Sequence, residues 1–460
     1  MFFVQGRWLS GLLFNWLFAR IAAISQLKTI RVISLASWVL FIISFHGLMN
    51  HWKKWMPLSN YVIFLSCLYI GCSLSVAIYI GWASCFQIGL ASLAGLWSGA
   101  ILFDIWINPK HKKSYALRNI TIGSLLGLCA LSLYQVSFGV FLLPFGIYLV
   151  IKKSAAGSNI IIRGIVSYLV IVLLYYAVFL YSMKYAGIVA SDRTHISFDV
   201  FGKFSFFFGI PLAQAFSLNL LYNTHNLISQ VFPFLLIALW LFHSFRGTTE
   251  SIKARIKYVG LILLLCLLIY LPVLVSKEDF SSYRTMFPFN FLITILILDI
   301  ILNKARKKNQ ERLAAFVVMI IFILTGFRNF RYNFLEPLKD EYHALTRSVS
   351  QHYHIGIDSI VVLRPGEETF YKALGVVDYK DEFGLPSLYK EWTPDPLFRQ
   401  LIFEKNKNHE AAKNLKVIQF TDKRLFDSAS ANGGANALFI NPEKLLMDFE
   451  NNKHLARFVK

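Results

Sequence analysis

Four short groups of residues stand out for the chemistry their side chains can do. Ser282-Tyr283-Arg284-Thr285 sets one arginine at the start of a long apolar run. A guanidinium there is costly to leave unpaired, and its planar fork of N–H donors matches phosphate oxygens two at a time. Leu131-Ser-Leu-Tyr134-Gln135 puts an aromatic ring and an amide side by side between two short apolar runs, where both can meet a polar headgroup. Gly6-Arg7-Trp8-Leu9 brings a second arginine to the head of an apolar, amphipathic stretch. Asp378-Tyr-Lys-Asp381-Glu382-Phe383-Gly384-Leu-Pro386-Ser387 collects carboxylates, aromatics and turn residues. Carboxylates accept hydrogen bonds from sugar hydroxyls, and aromatic rings stack on sugar faces. Plainer readings stand beside these: a snorkelling arginine, an interfacial tyrosine anchor with a turn-capping glutamine, and a solvated loop. Arg328 and Arg331 read either as further phosphate ligands or as contacts to lipid headgroups.

The elements that must position these groups are membrane spans. A chain of 460 residues that is 56% hydrophobic, with a mean hydropathy of +0.53, is not a soluble globule. The apolar pattern predicts about ten transmembrane helices, at 29–49, 58–79, 82–106, 119–134, 136–151, 160–183, 228–245, 258–276, 285–303 and 313–327. The fourth and fifth read as a tight hairpin turning at Tyr134-Gln135, short enough to need a thinned bilayer or protein over their ends. The outer loop 184–227, with Phe204-Ser-Phe-Phe-Phe208 and Pro211-Leu-Ala-Gln-Ala-Phe216, suggests a helix lying in the interface.

Sidedness follows from the loops. Five of them hold 18 Lys and Arg: Lys53 and Lys54; Lys110, Lys112, Lys113 and Arg118; Lys152, Lys153 and Arg163; Arg246, Lys253, Arg255 and Lys257; Lys304, Arg306, Lys307, Lys308 and Arg312. The alternate loops hold 5: Lys184, Arg193, Lys203, Lys277 and Arg284. Translocating cations is disfavoured, so the rich loops are expected in the cytoplasm. The net charge of +20 is therefore a topology signal, and nucleic acid is excluded as a partner. Beyond Phe330 the charges balance at 18 basic and 18 acidic residues, and residues 328–460 alternate helix-like stretches with strand-like runs at 360–363, 417–420 and 437–440. That predicts a C-terminal α/β domain outside the cytoplasm. All five cysteines fall inside apolar spans, and His352 with His354 makes a poor metal pair, so no metal and no cofactor is expected.

One conflict remains at the start. Loop parity places residues 1–28 outside, as an amphipathic or re-entrant segment ahead of a transmembrane domain at 29–327, yet Arg7, Arg20, Lys28 and Arg31 favour the inside. Either residues 8–25 cross as a further span despite Arg20, or an upstream span is missing from the chain.

The four groups, in their order along the chain, resemble the phage-type and chromosomal O-antigen glucosyltransferases, the serotype-converting type II group with a GT-C-like membrane fold. Gly6-Arg7-Trp8, Ser132-Leu-Tyr134-Gln135, Arg284 and Asp381-Glu382-Phe383-Gly384…Ser387 carry the likeness. It implies transfer of glucose, or another hexose, from a polyprenyl-phosphate-sugar donor to lipid-linked O-antigen. The reaction would occur at the periplasmic face of the bacterial inner membrane. In that reading Arg284 holds the donor phosphate, while Arg7, Trp8, Tyr134 and Gln135 line the lipid-proximal site. The Asp381–Ser387 loop orients the acceptor glycan. The absence of a GxGxxG fingerprint agrees with a donor that is not a nucleotide. An O-antigen polymerase, a lipid A-modifying sugar transferase and, more distantly, a flippase or transporter are the alternatives. The chain departs from the family in having no Asp or Glu before Asp104, so the acidic outer loop that would supply a general base is not where the family has it. The resemblance therefore favours a missing upstream span. Among the outer carboxylates Asp192, Asp199, Glu278, Asp279, Asp381 and Glu382, the pair Asp381 and Glu382 are the candidates for catalysis.

Overall fold

A computed structural model describes residues 3–21, 26–108, 112–153, 157–188, 195–222, 226–246, 251–303, 308–354, 356–376, 380–432 and 436–458. Lys110, Asp192, Arg193, Lys304, Arg306, Lys307, Asp378 and Tyr379 lie outside the described residues. The chain divides into a first unit of residues 1–21 and 26–326 and a second of residues 22–25 and 327–460.

The first unit is helical throughout, as an apolar solvent requires: a backbone N–H or C=O that cannot reach water must be paired within its own element. In chain order its helices are α1 (Trp8–Phe18), α2 (Leu27–Trp52), α3 (Asn60–Cys72), α4 (Leu74–Gly81), α5 (Phe86–Ile107), α6 (Lys113–Leu133), α7 (Leu143–Lys152) and α8 (Ser158–Ala186). These are followed by α9 (Val200–Gly209), α10 (Pro211–Phe216), α11 (Leu227–Phe245), α12 (Ile252–Ile269), α13 (Leu271–Leu274), α14 (Tyr283–Asn303) and α15 (Lys308–Arg328). Among the described residues eight helices are long and apolar enough to cross a bilayer, and the bent pair α3–α4 makes a ninth. The protein is a polytopic helical membrane protein.

The count differs from the ten spans expected, and the difference is local. Residues 258–276 do not form one clean apolar helix. Three cations, Lys253, Arg255 and Lys257, occupy the start of α12, and the helix breaks at Tyr270 before Pro272. The span at 58–79 is also broken, bending by 42° where Ser73 adopts an extended conformation and caps α4.

The hairpin at Tyr134 joins α6, at 21 residues a full-length helix rather than the short one expected, to a shorter arm. Tyr134 is extended, with φ −160° and ψ 108°, so the chain reverses there. Gln135–Leu142 then runs as a 3₁₀ helix before α7 takes over. A 3₁₀ turn rises ~2.0 Å per residue against ~1.5 Å for an α-helix. The 18 residues Gln135–Lys152 therefore reach ~31 Å, close to the ~30 Å hydrocarbon thickness. A segment of that length can cross without a thinned bilayer. It fits because α5 offers Gly95 and Gly99 on one face, four residues apart, so that backbones come together. A Cβ on Gly99 would sit 2.2 Å from the Phe141 carbonyl oxygen.

At the centre lies α14, with 94% of its apolar window buried. Phe287 and Phe291 stack on each other and meet Trp38, Phe41, Phe45 and Tyr69 from α2 and α3. The loop expected to lie in the interface behaves in two ways. α9 exposes Phe201, Phe204 and Phe208, whereas every residue of α10 is buried.

The second unit holds a three-stranded parallel sheet in the order β2-β1-β3, formed by β1 (Ser359–Leu363), β2 (Lys416–Phe420) and β3 (Ala437–Ile440). Around it stand α16 (Glu336–His352), α17 (Thr369–Leu374), α18 (Pro394–Asn406), α19 (His409–Asn414), α20 (Lys423–Ala431) and α21 (Pro442–Phe458). Ile360 and Val362 of the central strand pack with Leu345, Val349, Phe398 and Ile402 of α16 and α18. A central parallel strand must be covered on both faces, and α20 lies against the sheet through Phe426, beside Phe420 and Phe439.

The close approach of α5 to the 3₁₀ segment gives a direct test. Gly99→Ala should destabilise the protein by about 1–3 kcal/mol through overpacking. Gly260→Ala, where a Cβ meets nothing within 4 Å, should be neutral or slightly stabilising. Thermal unfolding of the two variants in micelles separates them, and equal melting temperatures would refute the packing assignment.

Candidate functional site

Gly6, Arg7, Tyr134 and Gln135 meet at one end of the helix bundle. Gly6 has φ +75°, a left-handed conformation open to glycine, and a Cβ there would lie 2.2 Å from the Tyr175 hydroxyl. That hydroxyl donates to the Gly6 carbonyl at 2.8 Å and accepts from Gln135 Nε2 at 2.8 Å. The same amide nitrogen donates to the Gln5 carbonyl at 2.7 Å, while Gln135 Oε1 accepts from Arg7 Nε at 2.9 Å. The Arg7 guanidinium stacks over the Tyr134 ring, 4.5 Å from its centroid. Gln135 thus acts as a bracket, with its oxygen holding the arginine and its nitrogen holding the turn before it. Ser10 of α1 donates to the Leu133 carbonyl at 2.5 Å and seats the helix beside the hairpin. Trp8 stays 43% exposed at the edge of this cluster. Among the described residues the Arg7 Nη atoms have no hydrogen-bond acceptor.

Arg284 is positioned by a different device. Within α14 its carbonyl would bond to the N–H of residue 288, four residues on, but residue 288 is proline and has none. Tyr79 of α4 supplies the missing donor, its hydroxyl 2.7 Å from the Arg284 oxygen. Ser75, one turn earlier on α4, donates to the Tyr283 carbonyl at 2.6 Å, and the Tyr283 hydroxyl accepts from the Tyr222 N–H at 2.8 Å. The start of α14 is thereby fixed from both sides. The guanidinium projects between two aromatic faces, 5.0 Å from Trp82 and 5.6 Å from Phe280, with Nε 3.4 Å from the Ser282 hydroxyl. Aromatic walls leave an arginine charged but weakly hydrated, a good state for receiving an anion.

Tyr79 bonds to the Arg284 carbonyl and lies near Tyr134. The structure therefore brings Arg7, Tyr134, Gln135 and Arg284 to one end of the first unit. No family model, curated protein or solved structure matches the chain.

The carboxylates are placed less evenly. Asp199 caps α9 by accepting from the Gly202 N–H at 2.9 Å, and Asp279 pairs with Lys203 at 2.6 Å. Glu278 contributes its backbone carbonyl to the same lysine. Asp381 and Glu382 belong to the second unit and form the two central residues of a tight turn, closed by Lys380 and Phe383 exchanging backbone hydrogen bonds at 2.9 and 3.0 Å. Asp381 sits at the tip with φ +60°, whereas Glu382 is buried. Arg331 is paired with Glu336 at 2.8 Å. Among the described residues no three His, Cys, Asp or Glu side chains are grouped to hold a metal ion.

Sequence reasoning missed Tyr79, Tyr175, Trp82 and Glu341. Glu341 is the one with a readable signal. It shares a helix face with Ala344, Leu345 and Ser348, at the spacing of a buried stripe. Its carboxylate accepts from the Ser387 and Leu388 N–H groups at 2.7 and 3.2 Å, so it shapes the end of the Asp381–Ser387 loop. Burial pushes its carboxyl up from 4.5 to about 7, and the hydrogen bonds from the Ser387 and Leu388 segment pull back only in part.

Two measurements follow. Tyr79→Phe, which keeps the ring against Trp38, should cost about 1–3 kcal/mol by stranding the Arg284 carbonyl. In a Pro288→Ala background, where the helix regains its own N–H, the same change should cost little. Equal costs in both backgrounds, read from unfolding in micelles, would sink the proline account. The second concerns Glu341, whose folded state holds its proton to higher pH than the unfolded chain. Its contribution is fully present below pH 4.5 and is lost as pH rises through about 7. The full loss is on the order of 3 kcal/mol. Glu341→Gln should remove that dependence. Hydrogen exchange of the β1 amides, compared between the two proteins at pH 4.5 and again at pH 8, reports it.

Proposed function

We propose that the chain is a membrane glycosyltransferase that moves a hexose from a polyprenyl-phosphate donor to a lipid-linked O-antigen acceptor, at the periplasmic face of the bacterial inner membrane. The observation that carries this reading is the convergence of Arg7 and Arg284, 277 residues apart, at one end of the bundle through Tyr134 and Tyr79. A polyprenyl-phosphate-sugar offers an apolar chain and a singly anionic phosphodiester, and the phosphate it releases gains a second charge. Two arginines on aromatic faces, above a wall of apolar helices, complement both parts.

In this reading the arginines act chiefly on the leaving group. Glycosyl transfer breaks the bond between the anomeric carbon and the phosphate oxygen, and negative charge builds on the departing phosphate. Donors aimed at that charge, in a site shielded from water, lower the barrier more than they strengthen ground-state binding. Arg284, held at its backbone by Tyr79 and at its side chain by Trp82 and Phe280, is the better preorganised of the two. Arg7 and Trp8 border the site where the donor lipid would lie. The acceptor hydroxyl must also lose a proton to a base, and Asp381 and Glu382 are the carboxylates offered for that role by the resemblance. The Asp381–Ser387 segment, braced by Glu341, is assigned to the acceptor glycan.

Arg284→Ala should lower hexose transfer in membranes by at least about a hundredfold, the usual loss when one donor to developing charge is removed. Its abundance in the membrane should be unchanged, and Arg284→Lys should keep part of the activity. The readout is mass spectrometry of lipopolysaccharide for one added hexose per repeat. A wild-type transfer rate in Arg284→Ala would remove the assignment.

A further inference from the structure

A second cationic site stands at the other end of the bundle. Asp299 follows Arg284 by fifteen residues on α14, ~22 Å along a helix rising ~1.5 Å per residue. Around it the ends of α7, α11, α12 and α14 enclose a cavity of about 210 Å³, into which Lys153, Arg246 and Arg255 bring positive charge. These three permanent cations face one carboxylate, Asp299, so the lining carries a net positive charge even with His243 neutral.

Each cation is held in place. Lys153 ends α7 in a left-handed conformation (φ 51°) and pairs with the buried Asp299 at 2.7 Å. Arg255 donates from Nη1 to the Phe245 carbonyl at the C-terminus of α11. Arg246 lies over the Phe242 ring at 5.0 Å. The opposite wall is apolar, made by Trp240, Leu296 and Ile300. Only 17% of the apolar window of α11 is buried within the protein, so Phe234, Leu235 and Phe242 present an apolar surface that a lipid chain can cover. A rigid cationic rim over an apolar wall fits an amphiphile with an anionic head. Arginine forks match phosphate oxygens, and basic pockets between spanning helices suit lipid headgroups.

We infer that this cavity binds the phosphate of an anionic phospholipid headgroup. The shared chemistry is a phosphate group, which could also arrive as free phosphate. The site lies outside the arginine cluster of the proposed transferase and does not depend on that reading.

The test uses the full chain in micelles, titrated with phosphatidylglycerol, with phosphatidylcholine, or with inorganic phosphate at matched ionic strength, followed by thermal stability and native mass spectrometry. Phosphatidylglycerol should stabilise the wild type and remain bound, and phosphatidylcholine should not. Arg246→Gln should weaken phosphatidylglycerol binding about fivefold, the usual effect of one cation near an anionic headgroup. Arg246→Lys should recover most of it, and Lys112→Gln, a basic site elsewhere, should leave it unchanged. A shift produced by inorganic phosphate alone would keep the phosphate site and change its source. Equal response to both lipids, an unaltered affinity in Arg246→Gln, or an equal loss in Lys112→Gln would overturn the inference.

Discussion

A proline in the most deeply buried of the described spans sets the terms for the candidate site. Pro288 deprives the Arg284 carbonyl of its partner within α14. A stranded carbonyl in an apolar bundle costs more than a hydrogen bond ordinarily contributes. The chain answers with a side chain from another helix, Tyr79, and that answer fixes α4 against α14 at the point where Arg284 emerges. Tyr79 in turn stacks on Trp38, which meets Phe287 one turn into α14. The donor that answers the backbone defect thus also ties α2, α4 and α14 together at this end of the bundle. An arginine placed by such a knot has little freedom in its backbone, and its guanidinium is then steered by the rings on either side.

The Arg7 cluster follows the same logic with different parts. The reversal at Tyr134 leaves a polar amide at the head of a 3₁₀ helix, and both ends of the Gln135 side chain are used. Tyr175 adds the hydroxyl that links α8 to the N-terminal turn. In both clusters a tyrosine hydroxyl from a spanning helix satisfies a backbone carbonyl and, by doing so, orients a neighbouring arginine. Apolar surroundings make each of these hydrogen bonds stronger than it would be in water.

Much of this architecture was legible in the sequence because it depends on local signals. Long apolar runs separated by cationic loops are visible residue by residue, and so are the alternating short runs that became β1, β2 and β3. The broken stretches were harder. Lys253, Arg255 and Lys257 shorten the apolar part of α12, and Pro272 ends it, but both features look like the flanks of an ordinary span when read in one dimension. The 3₁₀ run after Gln135 has no signature of its own, since it exists only because Gly95 and Gly99 let a second backbone approach. The candidate site was legible as separate motifs and not as a site. Arg284 and Gln135 were conspicuous, whereas Tyr79 and Tyr175 looked like two aromatics among 21 tyrosines. Their roles come from partners 205 and 169 residues away. Pro288 was visible as a missing N–H, but which donor would replace it was not.

The docking of the first turn has a consequence in time. Gly6 and Arg7 are synthesised well ahead of their partners, Gln135 and Tyr175. At roughly 5–20 residues per second of synthesis, the N-terminal segment waits on the order of ten to thirty seconds before the groups that bind it exist. Through that interval α1, apolar on nearly every side and carrying exposed Trp8 and Trp16 even in the finished fold, has the lipid surface as its nearest resting place. The turn at Gly6 is therefore a late closure, made only once Gln135 and Tyr175 have followed it.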